Sequence, residues 1–174
     1  RNKVVEFLDY ARERKAIIYY DPNFRDTHKD EALKLTPIII ENLEYADIVR
    51  GSDQDFANMY NGLTDVDQIY KNKIQFYCPN FLCTNGAGNI SLRTNSISKE
   101  YEVKQLDAVS TVGAGDNFNA GVIYGLLKRD IRYRDLNNIR EQDWDEIIGY
   151  GKDFSANVCM SLYNSVSKEF ATSY

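Results

Sequence analysis

His28 is the sole histidine in 174 residues, and there are only three cysteines, Cys78, Cys83 and Cys159. Their odd number and the lack of C-x-x-C spacing leave no partner set for a zinc site, so the thiols read as reduced core or surface groups. Reduced thiols place the expectation in the cytoplasm. No apolar run approaches the roughly 20 residues of a membrane span, and Arg1-Asn2-Lys3-Val4-Val5-Glu6 lacks the long apolar core of a secretory signal. The net charge is -5 with basic residues scattered. There is therefore no basic stripe for nucleic acid or an anionic membrane, and neither is expected as a partner. Internal repeats, low-complexity linkers and an initiator methionine are also absent. A helical apolar period already runs through Val4, Val5, Phe7, Leu8 and Ala11, so the chain is expected to be a fragment.

What is present suits a packed domain, with 43% hydrophobic and 13% aromatic residues. Residues 1–174 read as one α/β piece. The patterns predict a helix over about Lys3 to Arg14, then a strand over Ala16 to Tyr20 that breaks at Asp21-Pro22-Asn23. A second helix is predicted from Glu31 to Tyr45, re-initiated with Thr36 as N-cap and Pro37 at the first helical position, before a strand over Asp47 to Arg50. Short helices over Asp53–Tyr60 and Asp65–Lys71 lead to a strand over Phe81–Thr84. Antiparallel strands are expected over Ile90–Thr94 and Lys99–Lys104. Phe118, Val122 and Leu126 mark one face of a further helix, on which Gly121 and Gly125 leave room for close packing, and Asp143–Leu162 reads as mostly helix.

The stretch richest in chemistry is Ser110-Thr111-Val112-Gly113-Ala114-Gly115-Asp116-Asn117-Phe118. Small residues at a helix start free backbone amides that can stabilise negative charge on a transferring phosphoryl group, and the helix dipole adds to the effect. Asp116 in the same turn could take the proton from an attacking hydroxyl. A structural helix start, with Asp116 merely complementing the dipole, stays open on the local pattern alone.

Around this turn the chain resembles the PfkB, or ribokinase-like, carbohydrate kinases. Their signature reads approximately D-T-x-G-A-G-D-x-F, and Thr111, Gly113, Ala114, Gly115, Asp116 and Phe118 match it in order. Asp21-Pro22-Asn23-Phe24-Arg25 is similar to the D-P-N-x-R of fructokinase-like and 2-keto-3-deoxygluconate-kinase-like members. Ala46 to Ser52 and Thr84-Asn85-Gly86 fall in family order as well. The resemblance implies a three-layer α/β/α sandwich with a mostly parallel central sheet, of which this chain is the C-terminal, nucleotide-binding part without the N-terminal strands and β lid. It implies an ATP- and Mg2+-dependent sugar kinase acting on fructose or a related sugar, a possible homodimer at full length, and little activity from this piece alone. Carried over by position, Asp116 is the base and Gly113, Ala114 and Gly115 the anion hole. Thr84, Gly86, Ser52 and Asn157 lie along the nucleotide, Asp55 serves the metal, with Asp53 as its competitor, and Arg25 faces a phosphate or an acidic sugar group.

Four substitutions depart from the pattern. Ser110 stands where potassium-activated members have an aspartate of the cation site, which argues against potassium activation. Asn89 replaces a glycine of T-x-G-x-x-G, and asparagine tolerates positive φ, so the loop is expected to survive. Ser52 and Asp55 stand for the asparagine and glutamate of N-x-x-E. These changes leave room for a kinase-like binding or regulatory module that has lost catalysis, although the retained Asp116 speaks against it. A Rossmann-type dinucleotide site is a weaker alternative, because Phe118 displaces the third glycine and no acidic strand end follows at the required distance.

Overall fold

Three short parallel strands set the frame of the first half: β1 (Tyr19–Tyr20), β2 (Ile48–Ser52) and β3 (Asn80–Thr84). The sheet continues antiparallel through β4 (Ile90–Arg93) and β5 (Ser98–Tyr101), in the order β1-β2-β3-β4-β5. Because β5 reverses β4, four of the five strands point the same way, and the sheet is mostly parallel as expected. The computed structural model describes all residues 1–174 and divides them into two compact units, Arg1–Val103 and Lys104–Tyr174.

The first unit also holds α1 (Asn2–Glu13), α2 (Ala32–Tyr45), α3 (Asp53–Met59) and α4 (Val66–Ile69). Ile48, Val49, Phe81, Leu82 and Leu92 are completely buried, as near-continuous apolar strands require. Phe56, Ile69, Tyr70 and Ile74 pack with Val49 and Phe81, Phe56 edge-on to Phe81 with ring centroids 5.1 Å apart. α1 is tied to α2 by Arg1 against Glu41 and by the Tyr45 hydroxyl, which donates to Asp9 at 2.6 Å.

Several boundaries differ from expectation for identifiable reasons. β1 is shorter than Ala16–Tyr20, because the Ile18 amide donates to the Asp47 carboxylate at 2.8 Å instead of a strand partner. α2 is continuous and does not restart at Thr36. Pro37 lies inside it, and the Thr36 hydroxyl donates back to the Ala32 carbonyl at 2.9 Å, a bond made within a helix and not by an N-cap. α4 is capped by Asp65, then widens into a π turn over Tyr70–Ile74. Asn89 is not in the left-handed region; Gly86 takes it at φ +43°, and the Asn89 carbonyl closes the β3–β4 loop on the Asn85 amide.

In the second unit, α5 (Ala114–Lys128) packs on α6 (Glu141–Cys159), with α7 (Lys168–Thr172) following. Phe118, Val122 and Leu126 are buried along α5, and Trp144, Ile147, Ile148 and Val158 along α6. A Cβ on Gly121 would stand 2.7 Å from the Gly151 Cα, and one on Gly125 2.8 Å from the Ile147 Cα. The helix axes can approach this closely only without those side chains, as the spacing predicts. α6 stops at Cys159, short of Leu162. There Ser161 bonds locally to Tyr163 and leaves Leu162 exposed.

Candidate active site

The parallel strands deliver the first unit's candidates to one edge. Arg25 follows β1, Ser52 and Asp55 sit at the β2–α3 junction, and Thr84 and Gly86 lie at and beyond the end of β3. Ser52 and Thr84 are register partners. The carboxyl edge of parallel strands is where an α/β sheet forms its ligand crevice.

At the β1 end, Asp21 Oδ1 accepts from the Asn23 amide at 3.1 Å, and Asn23 takes φ +44°, a conformation asparagine adopts more readily than most residues. The Phe24 carbonyl accepts from Asn58 Nδ2 at 3.1 Å, which fastens this turn to α3. Arg25 is exposed beside it. Ser52 and Asp55 form a capping box. Asp55 Oδ2 accepts from the Ser52 amide at 2.8 Å and the Ser52 hydroxyl at 2.6 Å, while the Asp55 amide donates to Ser52 Oγ at 3.1 Å. One carboxylate oxygen of buried Asp55 is thus committed to starting α3. No group of three or more His, Cys, Asp or Glu side chains is arranged to hold a metal ion.

Arg50, in the sequence only the end of a predicted strand, has a role in the structure. It is buried, its Nη1 donates to Asp21 Oδ2 at 2.9 Å, and its Nη2 donates to Thr84 Oγ1 at 2.7 Å. The signal that could have found it is a cation inside an otherwise apolar strand, since an arginine there needs partners.

In the second unit, Gly113 caps α5 at φ +80°, a left-handed conformation costly for other residues. A Cβ there would also sit 2.9 Å from the Asn164 Cβ. The Ala114 amide turns back to the Thr111 carbonyl at 3.2 Å, whereas the amides of Gly115 and Asp116 lie in the first turn, where a helix offers no partner of its own. Asp116 is exposed in the same turn. Asn117 Nδ2 donates to the Gly113 carbonyl at 2.9 Å and the Asn164 carbonyl at 3.0 Å, a clamp the sequence reading missed. Ser110 Oγ accepts from the Val112 amide at 3.2 Å, and the Val109 and Ser110 amides donate to the Cys159 carbonyl. The glycine turn is therefore held against the end of α6, the end that carries Asn157. Asn157 Oδ1 accepts from the Ser167 amide at 3.1 Å, so this residue anchors the start of α7.

The fold defines a class of protein. Fructokinase from Vibrio cholerae O395, solved in a fructose, ADP and calcium ion bound form, superposes with a TM-score of 0.77 at 17% identity, over 94% of this chain and 51% of that one. Aminoimidazole riboside kinase from Salmonella enterica, complexed with aminoimidazole riboside and an ATP analog, gives 0.77 at 20% identity, over 97% and 56%. The fold is that of the ribokinase-like kinases. Probable fructokinase-3 of Arabidopsis thaliana is 28% identical over 130 residues, which are 73% of this chain and 37% of that protein. The profile of the pfkB family carbohydrate kinases matches residues 1–166, and the chain belongs to that family. It spans about half the length of the solved structures and less of that plant relative. No helix is long and apolar enough to cross a membrane.

Proposed function

We propose that the chain is the nucleotide-binding and catalytic part of an ATP-dependent sugar kinase acting on fructose or a related sugar in the cytoplasm. The observation that carries this reading is the left-handed turn at Gly113, which opens α5 with first-turn amides beside the exposed carboxylate of Asp116. Those amides and the helix dipole favour charge developing on a transferring phosphoryl group, with no reorientation during the reaction. Because Ala114 donates to Thr111, the amides of Gly115 and Asp116 carry most of that task. Asp116 accepts the proton of the attacking hydroxyl, which raises the nucleophilicity of its oxygen as the bond to phosphorus forms.

The donors present suit a nucleotide. Thr84 and Gly86 line the β3 end, Ser52 stands beside Thr84 across the sheet, and Asn157 keeps its Nδ2 group for a base. Arg25 is a donor for an anionic or hydroxyl group of the substrate. Magnesium usually borrows most of its ligands from phosphates and water, so a single carboxylate, Asp55, suffices on the protein's side. When bound, the ion neutralises phosphate charge.

The test is Asp116→Asn in a protein carrying the rest of the family's fold. Phosphotransfer from ATP to fructose should fall at least a hundredfold with little change in KM, a loss typical of removing a positioned base. Unchanged turnover would show that Asp116 is not the base. The 174-residue chain by itself is expected to transfer little or no phosphate, and full activity from it would overturn that part of the reading.

A further inference from the structure

The Asp21–Arg50–Thr84 network crosses three strands. Arg50 extends from β2, Asp21 follows β1 on one side, and Thr84 ends β3 on the other. A guanidinium carries five donors and no acceptor, so the oxygen of Thr84 can only accept from Arg50 Nη2, and the Thr84 O–H is left to donate. A hydroxyl fixed in this sense suits an acceptor such as a phosphate oxygen and disfavours a ligand donor. The Asp21 carboxylate, 2.9 Å from Nη1, balances the guanidinium charge, so selectivity here comes from hydrogen-bond direction more than from net charge.

Resting on the nucleotide reading above, we propose that Arg50 is a positioning residue. It holds the Thr84 hydroxyl as a donor to an anionic oxygen of the nucleotide's phosphates, and it ties that donor through Asp21 to the turn bearing Arg25. The same side chain thereby couples the nucleotide edge of the site to the segment assigned to the sugar. Asp21 is shared between the two, since its other oxygen holds the Asn23 amide.

Titration calorimetry of this chain with ADP and with adenosine tests it. Thr84→Val should weaken ADP about tenfold while leaving adenosine within about twofold, and Thr84→Ser should restore ADP affinity. Arg50→Met should reproduce the loss of ADP affinity, and the double variant should be no weaker than either single one, since both remove one donor. Where Arg50→Met does not fold, Arg50→Lys takes its place with the same expectation, because an ammonium is a point donor that cannot span Asp21 and Thr84 together. A general structural defect would lower adenosine and ADP affinity alike. Wild-type binding of ADP that Thr84→Val leaves unchanged, or a hundredfold loss in the double variant, overturns the proposal and spares the nucleotide reading. Failure of the wild-type chain to bind either ligand overturns the nucleotide reading and the proposal with it.

Discussion

Gly113 shows how much one residue can carry. Its φ of +80° and the Asn164 Cβ at 2.9 Å act together, so Gly113→Ala meets both a left-handed penalty and a packing collision. The variant should be destabilised by about 2 kcal/mol or more, read from denaturant unfolding. Asp143 is a second such residue, buried at the start of α6. A hydrogen bond from Arg140 at 2.8 Å, joined by Arg129, holds its pKa at about 2 against the burial that opposes ionisation. A depressed carboxylate stabilises the fold above its unfolded pKa, and that contribution fades as the pH falls through the folded value. The melting-temperature gap between wild type and Asp143→Asn should be full above about pH 5 and should close between about pH 4 and 2. A gap that does not change with pH would rule out this ionic role. Ser110, by contrast, has a local task, turning its oxygen to the Val112 amide.

The α5–α6 pair raises the scale to elements that are bound by what their glycines lack. Gly121→Ala pushes a methyl group against the backbone of Tyr150 and Gly151 and should cost about 1–3 kcal/mol or more. Gly149, on the same α6, has nothing within 4 Å of a Cβ, so Gly149→Ala should leave stability unchanged or raise it by up to about 1 kcal/mol. Equal destabilisation of the two in thermal melts would refute the packing account. This contact was legible in the sequence, because residues four apart share a helix face and Gly121, Gly125, Phe118 and Val122 declare that face directly. The sequence suggests a restart at Thr36 because proline is at home in a first turn. Only the observed run of α2 shows Thr36 bonding back to Ala32 while the helix passes through Pro37. The end of α6 is hidden in the sequence for a related reason: Leu162 keeps the apolar period after Ser161 has diverted the backbone.

At the scale of the whole molecule, the thiols report on integrity. Burial pushes Cys78 and Cys83 up to about 12, whereas Cys159 is half-buried at the end of α6. A thiol reagent at neutral pH should label Cys159 first and the other two only as the first unit unfolds, because the thiolate is the reactive form. Fast labelling of all three in the native protein would contradict that core. The sequence by itself determined the alternation of helix and strand, the signature turn with Asp116 in the first turn of its helix, and the family. These are local matters, set by periodicity and by residues a few positions apart. The tertiary structure alone decided which strands lie side by side, and therefore that Asp21, Arg50 and Thr84, spread over 64 positions, meet in one hydrogen-bonded row. It alone placed Asn164 against Gly113. Strand order and the return of a distant segment are settled by which surfaces exclude water best together, and no short stretch of sequence contains both partners.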